Sequence, residues 1–116
     1  MNSLFKNMQI NQLSGRLRQI AGTPNVLSMQ FSAVDVAGIR ESIITIANEC
    51  KADDPQIARQ LLAAKDILFA VNQFGQAFIN PYAIGEILFG LDYLAAKGQA
   101  PSAEKQTTAE IWSYMH

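Results

Sequence analysis

Histidine and cysteine are nearly missing from this chain: His116 and Cys50 are the only residues of their kinds among 116. One cysteine excludes a disulfide framework and a multi-cysteine zinc site. One histidine, at the last position, removes most metal-site and general-base chemistry. Acidic side chains are missing from the first 34 residues, where Lys6, Arg16 and Arg18 stand alone ahead of Asp35. Charge is sparse throughout, at 16% of residues, with 9 basic against 10 acidic groups and a net charge of −1. That balance offers no general attraction to nucleic acid or to an anionic membrane. Long hydrophobic runs are missing too. Ile67 to Gly85 is the longest stretch without a charge, but Asn72, Gln73, Gln76, Asn80 and Pro81 interrupt it, and each is expensive in hydrocarbon. The first residues show no continuous apolar segment of the secretory kind. The expectation is a soluble, cytoplasmic protein with no membrane partner.

What is present is apolar: 49% of residues are hydrophobic, too many and too weakly diluted by charge for a disordered chain. At this length one domain is expected, burying roughly two-thirds of its unfolded surface. The apolar residues recur at spacings of three and four. After Asp54-Pro55, an acceptor for orphan amides followed by a proline at the first helical position, come Ile57, Leu61, Ala64, Leu68 and Val71, with Gly75 as the stop. Asn80-Pro81 repeats the start; Ile84, Leu88, Leu91 and Ala95 follow, with Ile87 and Leu94 widening the stripe and Lys97-Gly98 closing it. Ser32 to Asp35 resembles a capping box ahead of Val36, Ile39, Ile43, Ile46 and Cys50.

Ile10, Leu13, Leu17 and Ile20 predict a further helix from about Gln9 to Ala21, although Gly15 within it costs about 1 kcal/mol relative to alanine. A last helix is expected from Pro101-Ser102, carrying Ile111, Trp112 and Met115. No segment alternates with period two. The fold class expected is all-α, a single-domain bundle of four to five helices over 1–116, with 1–27 as a loosely attached N-terminal helix or arm and 28–116 as the core bundle. Asp54-Pro55, Leu61-Leu62 and Asp66 also align with Asn80-Pro81, Ile87-Leu88 and Asp92 at a constant offset of 26, which shared capping chemistry explains without a duplication.

Catalytic constellations are hard to assemble from these residues. Cys50 lies on the apolar stripe of its helix, with no second cysteine and no internal histidine to activate it. Asp53 and Asp54 suit a helix start. Glu86 and Asp92 share a helix but sit about 120° apart around it, so they form no dyad. Gly85 and Gly90 fall inside a helix, where they serve close approach of another helix rather than a phosphate loop. Glycine-centred helix-turn-helix readings find no basic helix to follow. No enzyme, no cofactor and no metal are expected.

One helix stands out. On a wheel, Ile84, Ile87, Leu88, Leu91, Leu94 and Ala95 form one broad apolar face, while Tyr82, Phe89 and Tyr93 line the opposite side with Glu86 and Lys97 beside them. A helix apolar on both sides either sits centrally and buries both within the monomer, or touches something else. Ala58, Leu62 and Phe69 make a smaller second ridge on the preceding helix. Tyr82, Glu86, Phe89 and Tyr93 are therefore the candidate contact residues for a protein partner or a second copy, since aromatics are enriched at interface centres. The function expected is a non-catalytic binding module: a regulator, an adaptor or an inhibitor of a larger complex. Short proteins of phages and mobile elements that block a host defence complex share this profile. The alternative is a nucleic-acid-associated helical oligomer that uses Lys6, Arg16 and Arg18 from each subunit.

Overall fold

The computed structural model describes residues 3–99, with side chains from 6 to 97. The chain is mostly helical, with four α-helices and a small two-stranded sheet: α1 (Ser3–Ala21), a 3-10 turn (Val26–Ser28), α2 (Ala33–Cys50), α3 (Pro55–Leu68), β1 (Phe69–Val71), β2 (Ala77–Ile79) and α4 (Pro81–Gln99). The helix expected after residue 101 lies outside the described residues.

Each helix packs on two others. α3 lies between α2 and α4, and α1 closes the ring by packing mainly on α4 and more sparsely on α2. The core is the set of stripes read from the spacing: Ile10, Leu13, Leu17 and Ile20 from α1; Val36, Ile39, Ile43, Ile46 and Cys50 from α2; Leu61, Ala64 and Leu68 from α3; Ile84, Ile87, Leu91 and Leu94 from α4. The front helix thus shares the core with the rest of the chain. It starts earlier than Gln9, at Ser3.

The helix starts differ in mechanism. Ser32 caps α2, its Oγ accepting the Asp35 N–H at 3.1 Å. Asn80 caps α4, its Oδ1 accepting the Tyr82 N–H at 3.0 Å. Asp54 does not cap α3 with its side chain, contrary to expectation. Its carboxylate instead accepts two contacts from Lys97 Nζ, at 2.9 and 2.8 Å, which fastens the end of α4 to the start of α3. The two Asx-Pro starts therefore resemble each other in sequence more than in what their side chains do.

The all-helical expectation fails between α3 and α4. α3 does not reach Gly75; it stops at Leu68, and residues 69–79 form an antiparallel hairpin with Phe69 opposite Ile79 and Val71 opposite Ala77. Phe31 adds a single bridge to the far side of Ala77, donating its N–H to that carbonyl at 3.0 Å. The turn is organised by Asn72, whose Oδ1 accepts from the N–H of Phe74 and of Gln76, while Gly75 takes φ +79°, a conformation costly for other residues. The main reason for the switch is burial. As the first strand residue Phe69 turns inward, its ring edge-on to Phe31 with centroids 5.3 Å apart and the Arg40 guanidinium 5.7 Å above it. The second ridge expected on α3 is corrected accordingly: Ala58 and Phe69 are buried, Leu62 is half-buried, and these residues are core rather than free surface.

Candidate functional site

The four candidate residues Tyr82, Glu86, Phe89 and Tyr93 all lie on α4, within an arc of about 60° around its axis. Three of them face outward: Tyr82, Phe89 and Tyr93 expose 69%, 65% and 46% of their surface. Among the described residues no other element covers them.

Why this face is left bare follows from what holds the flanks. On one side Arg18 of α1 reaches Asp92, its Nη2 standing 2.6 and 2.7 Å from the two carboxylate oxygens. On the other side Gln60 of α3 donates through Nε2 to the Glu86 carbonyl at 2.9 Å and to its Oε1 at 3.3 Å. Further along, Lys97 meets Asp54. The ionisable groups of α4 apart from the tyrosines are thereby engaged with neighbouring helices, and the strip between them is aromatic and uncharged. Glu86 belongs to this boundary more than to the aromatic strip.

The Lys97 ammonium is held above the ordinary lysine range, first by its hydrogen bond to Asp54; desolvation opposes this, and the charges of Asp54, Tyr93 and Asp53 add to it. A raised lysine contributes stability that is complete below its unfolded value, about pH 10.4, and is lost as pH climbs through the folded one. The stability advantage of the wild type over Lys97→Met is therefore expected to be full at pH 7 and to decline as pH rises beyond the ordinary lysine range, as measured by paired thermal melts. An advantage that persists unchanged into that range contradicts the pairing.

The candidate basic residues are not brought together. Arg16 and Arg18 point about 200° apart around α1. Arg16 faces Asp35 at 3.4 Å, toward α2, whereas Arg18 faces Asp92 on α4. Lys6 lies half-buried about three turns away along the helix. No shared basic surface results. Cys50 is buried, its thiol donating to the Ala47 carbonyl at 3.6 Å, and burial pushes its pKa up, with Asp54 adding to the shift and Lys6 opposing it. A protonated, enclosed thiol is a poor nucleophile. Among the described residues no three His, Cys, Asp or Glu side chains gather where a metal could sit, and no helix is long and apolar enough to cross a membrane.

Two features escaped the sequence reading. Phe74, 76% exposed, sits in the Asn72-ordered hairpin turn with Val71 also exposed nearby. The symmetric order of FAV, NQFGQ and AFI was the available hairpin signal. The second is an open cleft of about 500 Å³ between α1 and α2, lined by Gln9, Gln12 and Arg16 on one side and by Gly38, Ser42 and Thr45 on the other. In it the Gln9 Oε1 is buried without a hydrogen-bond partner among the described residues.

Compared with protein-family models, with curated proteins and with solved structures, the chain matches none.

Proposed function

We propose that this chain is a non-catalytic protein-binding module, a small four-helix bundle whose α4 presents Tyr82, Phe89 and Tyr93 as a contact ridge. The observation that carries this reading is the contrast between a helix whose flanking charges are engaged and an outer strip of three exposed aromatics. Large exposed aromatics are the side chains that dominate interface energies, and solvating three of them on one helix has no benefit to the isolated fold. Burying the ridge against a protein surface removes roughly 350 Å² of mainly apolar area from water, the size of the largest apolar patch on a typical monomer, and such patches often have a function. A regulator, adaptor or inhibitor of a larger complex acts through such complementarity and needs no reactive group.

A photo-reactive benzoylphenylalanine placed at Phe89 tests this in the native host, with the same group at exposed Gln56 on α3 as the control. The expected result is discrete crosslinked protein species from position 89 and not from 56. Phe89→Asp and Tyr93→Asp are expected to weaken the same association by about 100-fold, a typical loss at an interface centre, while far-ultraviolet circular dichroism and cooperative melting stay as in the wild type. Equal labelling from both positions removes the reading. So does unfolding of both aspartate variants, because the ridge then belongs to the core.

A further inference from the structure

Two glycines on α4 have opposite surroundings. A Cβ built on Gly90 stands 2.9 Å from Leu61 Cδ2, so Gly90 is explained by the close approach of α3. A Cβ built on Gly85 meets nothing within 4 Å among the described residues, as is also true of Gly15 in α1 and Gly38 in α2, and Gly85 is exposed. No described neighbour requires a glycine there, although glycine within a helix is less stable than alanine. Gly85 lies one turn before Phe89 on the same side of α4, and Tyr93 lies one turn after it. Along this row the outer face reads small, large, large, with a hole one helical turn from a knob.

We infer that the partner of this ridge is a second copy of the chain, packed α4 against α4 in antiparallel fashion about a two-fold axis, with Phe89 of each copy seated on Gly85 of the other. The inference rests on the binding-module reading above and names its partner. A two-fold axis crossing α4 at residue 87 brings Phe89 opposite the second copy's Gly85 and Tyr93 opposite its Pro81, each contact occurring twice, as an isologous interface requires. A parallel arrangement sets Phe89 against Phe89 and Gly85 against Gly85, bulk on bulk and gap on gap. Charge permits the antiparallel pairing, because Gln60 draws Glu86 toward α3 and Arg18 engages Asp92, leaving the strip between Tyr82 and Tyr93 uncharged. The aromatic area is about half of the roughly 800 Å² per partner of a standard interface. This points to a dimer that dissociates in the micromolar range.

Sedimentation equilibrium of the full chain over about 1–500 µM reads the association directly, bracketing the affinity expected of a small interface. The expected result is a mass that climbs from 12.7 kDa toward twice that value. Gly85→Leu fills the hole and is expected to weaken the dimer at least tenfold while melting, as a monomer, no lower than the wild type. Gly85→Ala checks the monomer separately and is expected to melt higher. With benzoylphenylalanine at Phe89, the purified protein is expected to yield a dimer-mass product joined to the peptide that contains residue 85.

A wild type that stays monomeric at 500 µM overturns the inference, as does a dimer indifferent to Gly85→Leu. A monomer-mass crosslink from position 89 to residues 100–116 also overturns it, since the ridge is then covered by the chain's own C-terminal segment. Discrete products with other proteins in the host, from a chain that remains monomeric, sink the second copy but leave the binding-module reading standing. The absence of any ridge-specific product sinks both.

Discussion

Leu61→Ala is expected to lower the free energy of unfolding by about 2–5 kcal/mol in urea titrations. Leu61 is fully buried, and its side chain fills the hollow that Gly90 leaves in α4. Deleting three side-chain carbons there removes their burial and opens a void between two helices whose backbones are already close. The neighbouring glycine makes the effect testable by its sign. Gly90→Ala in the wild type pushes a methyl toward Leu61 Cδ2 at 2.9 Å, so the leucine must give way, and a modest loss follows. In the Leu61→Ala background the same methyl enters an empty space and brings a better helix former, so it is expected to restore part of the loss. The double-mutant cycle should return a favourable coupling of about 0.5–3 kcal/mol. Additivity within experimental error would mean that α3 and α4 do not meet through this pair.

Phe69→Ala carries a comparable cost, about 3–5 kcal/mol, although Phe69 belongs to a strand of three residues. Its ring is the link between the hairpin and the helices, meeting Phe31 edge-on from one direction and Arg40 from another. Removing it takes away the aromatic pair and the cation's platform together, as well as the buried area. Phe74→Ala, at the exposed turn five residues later, is expected to change stability by no more than about 0.5 kcal/mol. Two phenylalanines of one hairpin thus separate packing from display, and equal losses at both would show that the turn is anchored in the core.

The sequence made the helical core legible because burial in helices imposes a period that short-range composition preserves. The stripes of α2 and α4, and Leu61, Ala64 and Leu68 of α3, stand where the spacing put them. It misled at residue 71. Val71 continues the three-and-four spacing of α3, yet it is an exposed strand residue. Three-residue strands are too short to show alternation, and the event that ends α3 is a non-local one, Phe69 turning toward Phe31 nearly forty residues earlier. Asp54 was misread for a related reason. A local capping role and a distant ion pair draw on the same carboxylate, and only the fold brings Lys97 to it.

On the ridge, the wheel placed Tyr82, Glu86, Phe89 and Tyr93 on one side of α4, since helical geometry alone fixes that arc. It had no means of separating Glu86 from the aromatics, because Gln60 reaches it from another helix. It also treated Gly85 and Gly90 alike, whereas one meets α3 and the other meets nothing described. The basic residues looked like a cluster in the linear order and are dispersed in space, since positions two apart on a helix diverge.

The principal partner of α1 is the last helix described, and this has a consequence for biosynthesis. The α1 stripe of Ile10, Leu13 and Leu17 is translated well before Pro81–Gln99, the helix on which α1 packs most extensively. At about 5–20 residues per second, the intervening chain takes roughly 3–12 s to emerge from a ribosome. Throughout that interval the greasy stripe of α1 lacks its principal cover, which makes it a natural client for a chaperone that waits at the tunnel mouth. Moving this helix to the other end of the gene, by circular permutation, would shorten its exposure to the time needed to translate a single linker.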